Sequence, residues 1–179
     1  MHGVHLTGLS AHHQWSATAA ILCATSDSSK HGIRRAITKN TKPENLVRKA
    51  LTSKGYRYRL HRKDLPGSPD IAMPGRRIVI FVHGCFWHRH ECQYFKWPGS
   101  NKNFWRSKLL ENVRRDAVAI GVLKLAGWRV CVLWECTLKQ KTSGVVDRML
   151  DRVAKWIRAP DNSKRKSWAN LEIPSTQIR

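Results

Sequence analysis

Cys85, His90 and Cys92 fall within eight residues, and Cys136 follows at the end of a later apolar run. Thiolate and imidazole are soft donors, and four of them close a tetrahedral site that favours zinc and leaves no open position for water. The spacing is not that of a common zinc finger, so free buried thiols stand as the alternative. A closed site would be scaffold, stiffening a loop too short and polar to pack itself. Cys131, within an apolar stretch, reads as a core thiol, and Cys23 has no evident partner.

A second group of residues suits hydrolysis. Asp70 follows Pro69 at the start of one extended run, and the next run ends at Val82-His83-Gly84. A carboxylate at a strand end, facing a loop from its neighbour, can hold a hard cation. Magnesium there would bind a phosphate oxygen and activate water, with substrate and waters completing its octahedron. A turn or cap is the plainer role for an Asp after Pro. His83 and His88 flank Cys85 and are not needed by the zinc count, so each is free to act on a proton or to touch a phosphate. Glu44 stands three residues after Thr41, and a capping box is its plain role.

These side chains need elements to hold them. Thr41-Lys-Pro-Glu44, with Leu46, Val47, Ala50 and Leu51 behind it, predicts a helix from about 42 to 54 stopped by Gly55. The alternation in YRYRLH predicts an edge strand. Leu65-Pro-Gly-Ser-Pro69 predicts a turn, and 70–73 and 77–82 predict strands joined by Pro74-Gly75. The stretch 83–98 reads as a loop dense in His, Cys and aromatics. A long helix is expected from about Phe104 to Ala126, capped by Asn103 and stopped by Gly127, with Leu109, Val113, Ala117 and Ile120 inward. A buried strand at 128–134 and an amphipathic helix at 144–158, with Val145, Val146, Met149, Val153, Trp156 and Ile157 inward, complete an α/β architecture around a mixed central sheet flanked by helices.

The 179 residues suffice for one packed core, expected at 39–158, with a basic flexible arm at 1–38 and a disordered tail at 159–179. Lys and Arg number 33 against 12 Asp and Glu, a net charge of +21, which calls for a polyanionic partner. Charge alone does not separate ribosomal, membrane-surface and nuclease proteins. Eight Trp is a high count, and Trp87, Trp97 and Trp105 lie in a basic, His-rich stretch suited to base stacking, with core filling the commoner use of any one of them. No apolar run reaches membrane-span length and no secretion signal is convincing, so a cytoplasmic protein without a membrane partner is expected. Five Cys in such a chain disfavour a disulfide framework.

Read together, NTKPE, RYRLHRKDLPGSPD, IVIFVHGCFWHRHEC, FW-x-x-K-x-x-x-N-x-x-RD and GWRVCVLWEC, in that order from Lys39 to Gln140, resemble the very-short-patch mismatch repair endonucleases along about 100 residues. The resemblance implies a restriction-endonuclease-like fold and nicking of double-stranded DNA beside a T:G mismatch. It implies Asp70 as the magnesium ligand, with the Val82 carbonyl as companion; Val82 stands where some members have Thr, a change that a backbone ligand tolerates. It implies His88 acting on the attacking water, supported through hydrogen bonds by Glu44 and His83, and zinc on Cys85, His90, Cys92 and Cys136. It also implies that Phe86, Trp87 and Trp105 are wedges beside the mismatched pair, and that Lys108 and Asn112 contact its bases. The arm at 30–37 lacks the Met that some relatives insert into DNA.

Two other functions fit the same features. A non-catalytic zinc-stabilised DNA-binding module uses charge, zinc and aromatics without Asp70 or His88. A restriction-type relative would act on undamaged or branched DNA. A monomer is expected, with a cytosine methyltransferase or mismatch-repair proteins as candidate partners.

Overall fold

In the computed structural model, the described residues are 39–140, 144–160 and 171–172. All fall in a compact unit that begins at Ile37. The expected N-terminal arm, residues 1–38, lies outside the described residues, as does most of the tail.

Helix α1, Lys42–Ser53, starts on the capping box: Thr41 accepts the amide of Glu44, and the Glu44 carboxylate accepts the amide of Thr41. Its stop is Gly55, in the left-handed region at φ 79°. Strand β1 is only Arg59–Leu60, because His61 turns to φ 45° and ends the extended run. Strands β2, Ile71–Met73, and β3, Ile78–His83, are antiparallel and joined by a 3-10 turn at Pro74–Arg76. Helix α2, Lys102–Leu125, crosses over to β4, Arg129–Trp134, which lies parallel to β3 with His83 opposite Trp134. A short helix α3, Glu135–Leu138, and α4, Val145–Arg158, follow. Strand β5, Leu171–Glu172, pairs parallel with β4, giving sheet order β1-β2-β3-β4-β5.

The sheet is mixed, with apolar packing on both faces. Along β3, Ile78 and Ile80 enter one core with Val47 and Leu51 of α1 and Met149, Leu150, Val153 and Ile157 of α4. Val79 and Phe81 enter the other with Leu123 of α2, Val130, Val132 and Trp134. Period-two alternation with apolar residues on both sides is what a central strand between two helical layers requires.

Three departures from the expectations have local causes. Helix α2 begins at Lys102 with Asn101 as its N-cap, two residues before the expected cap, Asn103. Of its expected inward stripe, Leu109 is fully buried and Val113 and Ile120 are half-buried, but Ala117 is exposed, and Asn112 and Asp116 are half-buried between Leu109 and Leu123. The tail expected to lack order contributes β5, whose signal is two residues long and whose pairing depends on the open edge of β4.

Gly67 fixes the turn ahead of β2. Its φ is 71°, and a Cβ there would lie 2.9 Å from that of Ala119 in α2 and 3.2 Å from the Phe81 ring. Only glycine lets the turn seat this closely, and the turn sets the position of Asp70.

Candidate active and metal centres

Asp70 enters β2 from that turn, with its side chain 18% exposed. Its Oδ2 accepts the Val82 amide at 2.8 Å across the end of β3. Burial pushes its carboxyl up to about 6, with the Val82 hydrogen bond opposing and Glu44 adding repulsion. Asp70, Glu44 and His61 bring ligand atoms within 4.8 Å of one another.

Glu44 is buried and heavily engaged. Its Oε2 accepts Arg48 Nη2 at 2.6 Å and the Asn40 amide at 3.0 Å, while Oε1 accepts the Thr41 hydroxyl at 2.8 Å. The neutralising cation, Arg48, is itself buried at 8% exposure and also donates to Asn40 Oδ1 at 2.6 Å. Burial and the neighbouring Arg48 lower the His61 pKa, which favours a neutral ring.

Beyond the end of β3, His83 and His88 stack face to face, with ring centroids 3.8 Å apart and planes 2° from parallel. His88 Nδ1 lies 2.5 Å from Asp116 Oδ2, one of the half-buried polar groups of α2. A carboxylate accepts, so Nδ1 carries the proton and Nε2 of a neutral His88 is left with its lone pair. Burial, then the proximity of His88, depresses His83 to about 3, so it stays neutral beside its neighbour. The support expected for His88 therefore differs in kind. His83 supports it by stacking, Asp116 by the hydrogen bond, and Glu44 bonds to Arg48, Asn40 and Thr41 instead.

Cys85, His90, Cys92 and Cys136 also present ligand atoms within 4.8 Å of one another. Parallel pairing of β3 with β4 brings Cys136, 51 residues away, back to the loop, where its amide donates to Cys85 Sγ at 3.3 Å. Cys136 Sγ and His90 Nδ1 are 3.5 Å apart, and the His90 amide donates to the Cys85 carbonyl at 2.9 Å. A tetrahedral zinc with S and N ligands sets edges of roughly 3.5–3.8 Å, so this donor set fits it. Burial pushes the Cys85 thiol up, a cost that a bound cation would reverse. Cys131 is fully buried in the other core, as expected of a packing thiol.

Beside both centres lies a cluster of rings. Phe86 meets Trp87 at 5.2 Å and Trp105 at 5.5 Å, and Trp87 meets Trp105 at 6.1 Å. All three are half-buried, so they pack on each other while keeping a face to solvent. The Asn112 amide donates to the Trp87 carbonyl at 3.0 Å and its Oδ1 accepts Arg115 at 2.8 Å, so Asn112 ties the loop to α2. Lys108 is exposed on the same helix.

A family model described as DNA mismatch endonuclease Vsr matches residues 24–94. The DNA mismatch endonuclease Vsr of Escherichia coli is 38% identical over 125 residues, 70% of this chain and 80% of its own length. The chain belongs to the Vsr family. A type II nicking enzyme of Xanthomonas oryzae is 54% identical over 101 residues, 56% of this chain and 74% of the relative. Another, from Neisseria meningitidis serogroup A, is 41% identical over 121 residues, 68% and 85% of the two chains. Vsr membership makes DNA endonuclease activity, a phosphodiester hydrolysis, the reaction class.

Two residues of the Vsr-like centres, Asp116 and His61, carry no sequence signal of their role. Asp116 ends the FW-x-x-K-x-x-x-N-x-x-RD motif, and its partner is 28 residues away in sequence. His61 sits within YRYRLH, where the strand alternation masked it. No helix of the described residues is long and apolar enough to cross a membrane.

Proposed function

We propose that this Vsr-family chain nicks one strand of duplex DNA beside a T:G mismatch by magnesium-dependent hydrolysis, on a restriction-endonuclease-like core comprising residues 39–158. The observation that carries the reading is the pairing of a half-buried, cation-seeking carboxylate with an oriented imidazole. Asp70 is held at one oxygen by the Val82 amide, and His88 is held by Asp116 with Nε2 available.

The residues present fit magnesium. In an extended strand a residue's N–H and C=O face the same neighbour, so the Val82 carbonyl faces the Asp70 side as its amide does. Two hard oxygens, from Asp70 and Val82, are the modest protein share that magnesium takes in phosphate sites. When bound, the ion supplies charge stabilisation and a more acidic water. His88 Nε2 accepts the proton of the attacking water, and Asp116 stabilises the imidazolium that results. Stacked and neutral, His83 holds the His88 ring plane without competing charge. Glu44 and Arg48 hold the floor under Asp70.

Zinc on Cys85, His90, Cys92 and Cys136 would fasten the loop bearing Phe86 and Trp87. These rings, with Trp105, enter the stack as wedges beside the mismatched pair. Lys108 lies in reach of the mispaired bases as a contact, and Asn112 serves first to hold the loop and then as the neighbouring base contact. The deciding experiment compares nicking of duplexes differing only in one T:G or T:A pair, with and without magnesium, by wild type, Asp70→Ala and His88→Ala. Wild type is expected to nick the T:G duplex only with magnesium, while both variants bind but do not nick. Equal cleavage of both duplexes would favour a second reading, sequence-directed nicking, which the likeness to type II nicking enzymes supports.

A further inference from the structure

His61 stands between two carboxylates, with Nε2 4.0 Å from Glu44 Oε2 and Nδ1 4.0 Å from Asp70 Oδ1. The three residues present the outline of a metal cage. Hydrogen bonding rules that cage out. Glu44 has four acceptor positions, and Arg48, the Asn40 amide, the Thr41 hydroxyl and, at 3.4 Å, the Thr41 amide take them. His61 Nε2 lies 3.0 Å from Arg48 Nη2. A guanidinium only donates, so Nε2 accepts, its lone pair is occupied, and the ring proton is on Nδ1. Nδ1 lies 4.0 Å from Asp70 Oδ1, the oxygen the Val82 amide does not hold, too far for a hydrogen bond but near enough for its N–H dipole to act on the carboxylate.

We propose that His61 is a positioning residue for the cation-binding carboxylate, the last member of a directed chain that runs Glu44, Arg48, His61, Asp70. Glu44 fixes the guanidinium, the guanidinium fixes the imidazole tautomer, and the imidazole presents its N–H dipole to Oδ1. Asp70 is thus steered at both oxygens, one by backbone and one by His61, and neither Glu44 nor His61 donates to the cation. The backbone carries a second sign of this role. His61 holds φ 45°, a left-handed conformation unfavourable for a residue with a Cβ, and its amide donates to the Asp70 carbonyl at 3.3 Å. Such outliers persist where surrounding structure enforces them, and here the bend delivers the ring to the carboxylates.

The inference rests on the magnesium reading above, and the test separates the two. Manganese binding to the DNA-free full chain is titrated by electron paramagnetic resonance, and magnesium dependence of nicking is measured on a T:G duplex, for wild type, Asp70→Asn, His61→Leu, His61→Gly and His61→Gln. Outer partners of metal ligands are typically worth about 10- to 100-fold in affinity. His61→Leu should therefore weaken manganese binding about tenfold or more and raise the half-saturating magnesium by a similar factor, with a smaller fall in kcat at saturation. Glycine relieves the left-handed backbone, so His61→Gly keeps the test valid if the Leu variant does not fold, and it should show the same weakening. Glutamine can accept from Arg48 and donate to Asp70, and should recover most of the loss. Wild-type manganese affinity in folded His61→Leu or His61→Gly overturns the proposal, as does a Gln variant no better than Leu. If Asp70→Asn binds manganese as wild type does, the carboxylate is not the cation site and both readings fall.

Discussion

At the scale of single residues, the centre is governed by which atoms are left over after the internal hydrogen bonds are made. Asp116 occupies His88 Nδ1, which leaves Nε2 for the proposed proton transfer. Asparagine at position 116 can present its NH2 to Nδ1 and stabilise the opposite tautomer, with the proton on Nε2. Asp116→Asn should lower single-turnover nicking at saturating magnesium by about 100-fold or more, the range of general acid/base catalysis, while duplex affinity holds. A rate within threefold of wild type would remove Asp116 from the mechanism. Asp70 gives a prediction with the opposite sense for stability. Its folded carboxyl, at about 6, lies above the usual unfolded value near 3.9, so the folded state binds that proton more tightly. The stabilisation is fully present below about pH 4 and is lost as pH rises through about 6, leaving a cost of at most about 3 kcal/mol at neutral pH without a cation. Asp70→Asn should thus melt higher than wild type at pH 7.5 in chelator, the gap should narrow toward pH 4, and magnesium should raise only the wild type. Coincident melting curves at both pH values would contradict an uncompensated buried charge.

At the scale of elements, the loop after β3 and the first turns of α2 form a unit made of ligands and rings. Removing a ligand by Cys92→Ser should release the loop and lower the melting temperature of the whole chain, because a structural zinc contributes folding free energy. Metal analysis of the natively purified protein should find one zinc per chain, with Cys85 and Cys92 protected from alkylation; a metal-free protein with reactive thiols would refute this. Phe86→Ala, Trp87→Ala and Trp105→Ala should reduce the ratio of nicking on T:G over T:A duplexes more than general affinity. Unstacking a base step costs a few kcal/mol and costs less beside a mismatch. An unchanged ratio in folded variants would return these rings to a packing role. What the sequence made legible here follows from locality. Cys85, His90 and Cys92 are close in the chain and chemically distinctive, and the Thr41–Glu44 box declares its helix in four letters. Helix α2 was legible in extent, expected at about 104–126 and found at Lys102–Leu125, but the half-buried Asn112 and Asp116 carry no apolar period to mark them. His61 was hidden because a strand pattern accounts for its neighbours, and its partners Arg48 and Asp70 come from separate elements.

At the scale of the molecule, +21 in 179 residues sets how the chain meets its substrate. Each phosphate neutralised releases counterions, so general affinity should fall steeply with salt, by about 1,000-fold or more between 50 and 200 mM if six or more phosphates are engaged. The proposed wedge insertion would release no counterions, so the T:G over T:A ratio should change far less over the same range. Binding titrations on both duplexes at several salt concentrations test this, and a ratio that collapses together with affinity would place discrimination in the phosphate contacts. The mixed sheet was foreseeable from the apolar runs at 70–73, 77–82 and 128–134, whereas β5 was not, since two residues carry no period and only the free edge of β4 gives them a partner.

One side chain joins the two centres. The ring of Trp134 stacks on that of His90 at 4.1 Å, and it also meets the rings of His83, edge-on at 5.3 Å, and His88 at 6.4 Å. The Cys/His cluster and the stacked pair of histidines therefore share a party wall. A substitution at position 134 would therefore act on both groups at once, because one indole touches the ring of His90 and those of His83 and His88.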